Sequence, residues 1–397
     1  MKRIIFVMAF FASLALFSSP VQAGQAKDVK EWTFLLFLNG HNNLDSFGAM
    51  NINQMEEVGS NENLNMVVQW ASIRNKQTKR LYVTQDNDPK VVKSQVVQTL
   101  APVDMGDYKN LVEFVRWGAE NYPAKKYMIA VWNHGNGWEF KTRSAFEAKD
   151  ISYDDTTGHH ITTEQLGLAM NEAAQIIGHK VDVYGSDACL MAMAEVAAEM
   201  KDSVEMFVGS QEVEPGQGWP YSTWMRRWAS NPTATAAEVS TYLTEEFTKS
   251  YDGGIYGHSD VTFSAMDLTQ FPAFFSALKD LNASLANLSP SDMRATKSLA
   301  DATQEFYLSD YKDIFDFVDR LQSSKVGIQS SILSNLKDAV QKMVISVEST
   351  DSYANSHGIS VWLPTDVGTL NRHKTRYSNL ELNKQTKWLD FLTLVNR

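Results

Sequence analysis

The 397-residue chain holds one cysteine, Cys189, so it can close no disulfide within itself. An exported chain that keeps a single unpaired thiol points to a reactive site. Cations are scarce, with 36 Lys and Arg against 47 Asp and Glu and a formal charge of −11, which disfavours nucleic acid and anionic membrane surfaces and suits basic substrates. The aromatic residues form no ladder interleaved with Lys or Arg, as a single-stranded nucleic acid would need. Internal repeats and low-complexity linkers are also missing. The longest uncharged apolar run, residues 4–17, is too short to read as a membrane span. It follows Lys2 and Arg3 and precedes Pro20 and a Val-Gln-Ala end, the pattern of a secretory signal peptide over residues 1–23 cleaved after Ala23. No cysteine follows to carry a lipid anchor, so the expectation is a soluble protein exported to the periplasm or outside the cell. Nothing in the sequence sets its oligomeric state.

At 44% hydrophobic residues the remainder can bury a large core. Strand-like runs recur at 33–38, 65–70, 127–132, 181–184, 206–209, 261–266 and 359–363, and helical patterns such as 111–120 and 163–176 lie between them. That alternation predicts an α/β fold, a mostly parallel central sheet covered by helices on both faces. From 272 to about 347 the pattern turns mainly helical. The expected division is a core over 24–271 and a largely helical C-terminal subdomain over 272–397, whose late strand before Pro364 returns to the sheet or pairs beside it. Residues 139–165 are polar and poor in apolar periodicity, and predict a long exposed loop. Within it His159 and His160 are adjacent and read as solvated, since neighbours cannot both face one metal from a regular element. Asp310, Asp313, Asp316 and Asp319 recur every three residues over 307–321 and read as the solvated face of a helix, without the glycine turn of a calcium loop.

Two stretches carry chemistry. Residues 181–200, VDVYGSDACLMAMAEVAAEM, read as a buried strand, then Ser186 and Asp187 as helix N-caps, then a helix. Cys189 then falls in the first helical turn, where orphan N–H groups and the helix dipole favour a thiolate. The plain alternative is a small buried hydrophobe. The second stretch, KYMIAVWNHGNGW, is another apolar strand, ending on His134. If both strands are parallel members of one sheet, Cys189 and His134 emerge together at its carboxyl edge. The N–H groups of Gly135 and Cys189 would then make a two-donor oxyanion hole. The loop NGHNNLD at 39–45 lies at the same edge, and its Asn42 and Asn43 read as side-chain caps of a turn.

NHGNGW around His134, GSDACLMAMAEVA around Cys189 and GSQEVEPGQGWPY from Gly209 to Tyr221 together resemble the clostripain family of cysteine peptidases, which share the caspase-like fold. Similarity extends to WTFLLFLNGHNNLD, DVTFSAMDL, DYKDIFDFVDRL and HGISVWLP, nearly the whole chain beyond the signal peptide. The resemblance implies a Cys189 nucleophile, a His134 proton carrier and polypeptide substrates cleaved after Arg or Lys. It places the carboxylate two positions before the cysteine, Asp187, in the S1 pocket, with Glu212 and Glu214 on a substrate-facing loop. It also implies activation by self-cleavage between the two catalytic stretches, with Lys149, Arg143 and Lys141 as candidates. Calcium dependence is known in the family, but nothing in the sequence locates a metal site, and the chemistry needs no cofactor. The chain departs from its relatives at His41, where they tend to carry an acid. Two other readings stay open, a same-fold hydrolase or transpeptidase acting at Asn or Asp, and a binding scaffold without catalysis.

Overall fold

The computed structural model of the protein describes residues 28–138 and 150–397. The expected signal peptide, Lys141, Arg143 and Lys149 lie outside the described residues. Nine strands form the main sheet, β1 (Lys30–Gly40), β2 (Leu64–Ser72), β3 (Gln77–Tyr82), β4 (Gln95–Leu100), β5 (Ala124–Trp132), β6 (Val181–Asp187), β7 (Val204–Gly209), β8 (Thr262–Asp267) and β9 (Val344–Ser349). Their spatial order is β9-β8-β7-β6-β5-β1-β2-β3-β4. The five central strands β7, β6, β5, β1 and β2 are parallel, and the flanking pairings are antiparallel.

Period-two burial fixes what each face carries. In β1, Phe34, Leu36 and Leu38 join Trp224, Trp228 and Phe247 of the helices Tyr221–Ser230 and Ala236–Tyr251. Leu35 and Phe37 point the other way, to Phe114 of Tyr108–Asn121 and Met170 of Thr163–Ile177. A strand buried on both faces must be apolar throughout, which is why β1 reads TFLLFL. The result is the α/β/α sandwich expected from the alternation. The helices after Phe271 pack Phe274, Leu278, Phe317 and Trp388 into that second cluster, so they continue the core of the sheet.

Three regions differ from the sequence reading. The antiparallel strands β3, β4 and β9 were not foreseen, because QTKRLY, QVVQTL and VISVES lack the continuous apolar run that marked the parallel strands. Residues 151–161 form a hairpin, Ile151–Asp154 with His159–Ile161, where a loose loop was expected. Asp150 before it is fully buried, accepts from Thr163 N–H and is forked by Arg376, which also binds Glu164 at 2.7 Å. Residues 307–321 are not one helix. Tyr311–Asp313 is a strand paired with Ser360–Trp362, the late strand before Pro364, and the helix is Ile314–Gln322. Asp313 and Asp316 are buried, not solvated. Asp313 caps that helix through Asp316 N–H and holds His357, and Asp316 accepts from Gln304 N–H and Arg320.

Glu195, fully buried on the helix Ala194–Met200, ties these C-terminal elements to the Cys189 segment by accepting from Trp362 N–H at 2.9 Å and Tyr377 O–H at 2.8 Å. Burial pushes its carboxyl up to about 7 from 4.5. The unfolded chain therefore ionises at Glu195 before the folded chain does, and stability falls as pH rises from 4.5 to about 7. Glu195→Gln keeps an acceptor oxygen and removes the titration. It is expected to flatten that decline by about 3 kcal/mol between pH 4 and 8, read from denaturant melts across that range. An unchanged pH slope would show that Glu195 carries none of it.

Candidate active site

Four loops meet at the carboxyl edge of four adjacent parallel strands, β1, β5, β6 and β7. Register places the central pair, since Trp132 at the end of β5 aligns with Asp187 at the end of β6. His134 and Cys189 each follow two residues later, so the two strands deliver them to the same level.

Cys189 does not stand in a helical turn. Ser186 and Asp187 belong to the end of β6, and the helix begins only at Ala194, with Met193 as its uncapped N-cap. Between them the chain turns at residues 188–190, with Leu190 at a left-handed φ of 65°, and Leu190 N–H donates to Glu212 O and Ala192 N–H to Ser210 O. Pairing with the loop after β7 outweighs helix propensity here, and the helix dipole has no role at the sulfur. The N–H groups of Glu214, Cys189 and Gly135 favour a thiolate, yet burial dominates and pushes the thiol up to about 11. Glu214 clasps the sulfur, its N–H donating at 3.4 Å and its carbonyl accepting at 3.7 Å. His134 is pulled down from 6.5 by burial, against the opposing influence of Asp155. Both groups are therefore neutral near pH 7 in this state.

Gly135 approaches the cysteine backbone so closely that a Cβ there would stand 2.5 Å from Cys189 O and 3.0 Å from Ala188 Cβ. Only glycine fits.

Asp187 is buried beside the thiol, where its Oδ2 accepts from Tyr221 O–H at 2.7 Å and Trp219 N–H at 3.4 Å. Gly218, at φ 65°, lets the loop close over it. Glu214 is the second acid of this pocket, buried, its carboxyl set against that of Asp187 and near the Ala188 N–H. The two carboxyls face each other, and each influences the titration of the other. Burial raises Asp187 to about 7 and raises Glu214 well above 4.5, with the Asp187 charge adding to the second shift. Glu212 points away, accepting from Val213 and Tyr307 N–H groups at 2.8 Å, so of the two glutamates only Glu214 enters the pocket.

The β1 loop is knitted in by asparagines. Asn39 and Asn42 both donate to Tyr153 O at 2.8 Å, Asn133 donates to Asn39 O, and Asn42 accepts from Leu44 N–H as the expected turn cap. Asn43 is no turn cap. Its Oδ1 lies 2.7 Å from His134 Nε2, a partner the sequence reading did not nominate. His41 is buried, with Nδ1 2.8 Å from Asp154, whose carboxyl hydrogen bonds and this pairing hold down to about 2 against burial. That pair joins β1 to the hairpin and leaves no acid of position 41 in the pocket. His159 is exposed as expected and meets Asp104 at 2.5 Å. No cluster of three or more potential metal ligands occurs among the described residues. No helix of the described residues is long and apolar enough to cross a membrane.

The clostripain family model, peptidase C11, matches residues 36–394. Clostripain of Hathewaya histolytica is 23% identical over 305 residues, covering 66% of this chain and 57% of its own length, so the chain spans little more than half of that relative. Among solved structures, a secreted C11 cysteine protease from Bacteroides thetaiotaomicron in complex with an irreversible peptide inhibitor superposes with a TM-score of 0.68 at 19% identity, over 90% of this chain and 99% of that one. An inactive zymogen C11 protease from Parabacteroides distasonis gives 0.70 at 19% identity, over 91% and 99%. At that identity the likeness establishes the shared fold.

Proposed function

The chain belongs to the clostripain family of cysteine peptidases, and from that membership we propose an exported endopeptidase that cleaves after Arg or Lys. The observation that carries the specificity is the buried Asp187–Glu214 pair beside the only thiol. Two facing carboxyls shut away from water, with no cation beside them among the described residues, are the complement of a guanidinium or an ammonium.

In the mechanism proposed, the P1 cation displaces the proton that the raised pair retains and pairs with Asp187 and Glu214. The scissile carbonyl oxygen turns to the N–H groups of Gly135 and Cys189. The thiol gives its proton to His134 as sulfur attacks the carbonyl carbon, His134 returns that proton to the leaving amine, and water hydrolyses the thioester. The clasp of the sulfur by Glu214 supports activation by cutting at Lys149, Arg143 or Lys141, a cut that would free it. Export rests on the residues 1–23 pattern and on relatives described as secreted.

Fluorogenic peptides differing only at P1, with Arg, Lys, Asn, Asp or Leu, test this under reducing conditions with and without calcium. Arg and Lys are expected to exceed Leu by at least about 10²-fold in kcat/KM. Preference for Asn or Asp would overturn the pocket assignment. No cleavage, even after limited proteolysis of the intact chain, would favour the binding scaffold.

A further inference from the structure

We propose that Asn43 is a positioning residue that sets the tautomer and orientation of His134. The inference rests on the reading of His134 as the proton carrier. A neutral imidazole has one N–H and one lone pair, and which nitrogen holds which is decided by its partners. Asn43 presents a carbonyl oxygen 2.7 Å from Nε2, so Nε2 carries the hydrogen and Nδ1 keeps the lone pair. Nδ1 is then the nitrogen left to take the thiol proton. When it does, the imidazolium is held by the same bond, now charge-assisted.

The loop that delivers Asn43 is fixed as an orienting group requires. Asn39, Asn42 and Asn133 tie β1, the His134 segment and the hairpin together through Tyr153 O and Asn39 O. The Tyr153 ring stands 5.7 Å from the imidazole, tilted by 30°. Among the described residues, the groups facing His134 are Asn43 from the β1 loop and Tyr153 and Asp155 from the hairpin, while the next residue, Gly135, lies against the Cys189 segment. Asp155 favours the imidazolium only through space, whereas Asn43 holds a defined nitrogen. Asn43 is itself exposed, so its contribution lies in geometry rather than in a buried charge. The side chain can be exchanged without opening the core.

Asn43→Ala and Asn43→Asp separate this role from a structural one. Asn43→Ala is expected to lower kcat on an Arg peptide about 10- to 100-fold with KM within twofold, since the interaction strengthens only as charge develops on the ring. Asn43→Asp keeps an acceptor and should recover most of that loss. It should also raise the acid limb of the kcat profile, where the bound P1 cation already holds the two carboxyls ionised, by about one pH unit, because a carboxylate favours the imidazolium. The His134 Cε1–H resonance, titrated by NMR in the Cys189→Ala background, should show the same rise. An Asn43→Ala enzyme with wild-type kcat, or an Asn43→Asp titration that does not move, overturns the proposal. The NMR arm does not depend on turnover. If no form of the protein cleaves peptides, the peptidase reading fails while the titration still decides what Asn43 does to His134.

Discussion

Cys189→Ala is expected to abolish peptide hydrolysis, a fall of at least about 10⁴-fold in kcat, with the fold and thermal stability little changed. The chain has no second thiol, so none can substitute. Alanine removes only a sulfur that lies at the surface of the core, and Ala188 and Ala192 on either side show that the segment accepts small residues. Alkylation by iodoacetamide gives an independent reading, since Cys189 is the one thiol and Cys189→Ala supplies the blank for slower labelling elsewhere. With the thiol pushed up to about 11, the intact resting chain should label slowly near neutrality and faster with each pH unit toward that value. A rate already level at pH 7 would mean that the resting nucleophile is a thiolate and that the clasp by Glu214 does not govern it. Labelling that quickens after limited proteolysis would tie activation to release of the sulfur.

The parts of this site that the sequence revealed are those that depend on strand order. Two apolar runs ending on His134 and Cys189 were enough to place both at one edge, because parallel strands buried on both faces have nowhere else to end. The helix at Cys189 was misread for the opposite reason. Ala, Leu, Met and Glu favour a helix locally, but residues 190–192 are claimed by Ser210 and Glu212 across the loop, a long-range pairing that propensity does not encode. The same limit hid β3, β4 and β9, whose polar alternation marks sheet edges. Asp313 and Asp316 were misread because a three-residue recurrence of acids has the same pattern whether the side chains meet water or cap buried N–H groups. The second acid could not be chosen from Glu212 and Glu214 by sequence, since both lie on one loop and it is Tyr307 N–H, almost a hundred residues away, and Tyr353 that draw Glu212 aside. Asn43 sat in plain view in NGHNNLD. What was missing was the position of His134 across from it.

Asp187→Asn is expected to lower kcat/KM for Arg and Lys peptides by about 10³-fold while leaving a Leu peptide within a few-fold. Asparagine keeps the volume and an oxygen for Tyr221 O–H, so the pocket retains its shape and loses one charge. The loss should also change with pH, and its sign follows from the acid pair. In the empty pocket Asp187 is raised to about 7 and Glu214 well above 4.5, so below pH 7 a cationic P1 must displace a proton before it is fully paired. The wild-type kcat/KM for Arg should therefore fall about tenfold per pH unit below 7, and the Leu peptide should keep only the limb of His134, which lies lower. With Asn at position 187 the neighbouring charge is gone, Glu214 drops toward its ordinary value, and the limb for Arg should move to lower pH. The experiment is a pH series of kcat/KM on the Arg and Leu peptides for wild type and Asp187→Asn. Two Arg profiles parallel throughout would mean that the carboxyls titrate independently, and that Asp187 shapes the pocket without setting its charge.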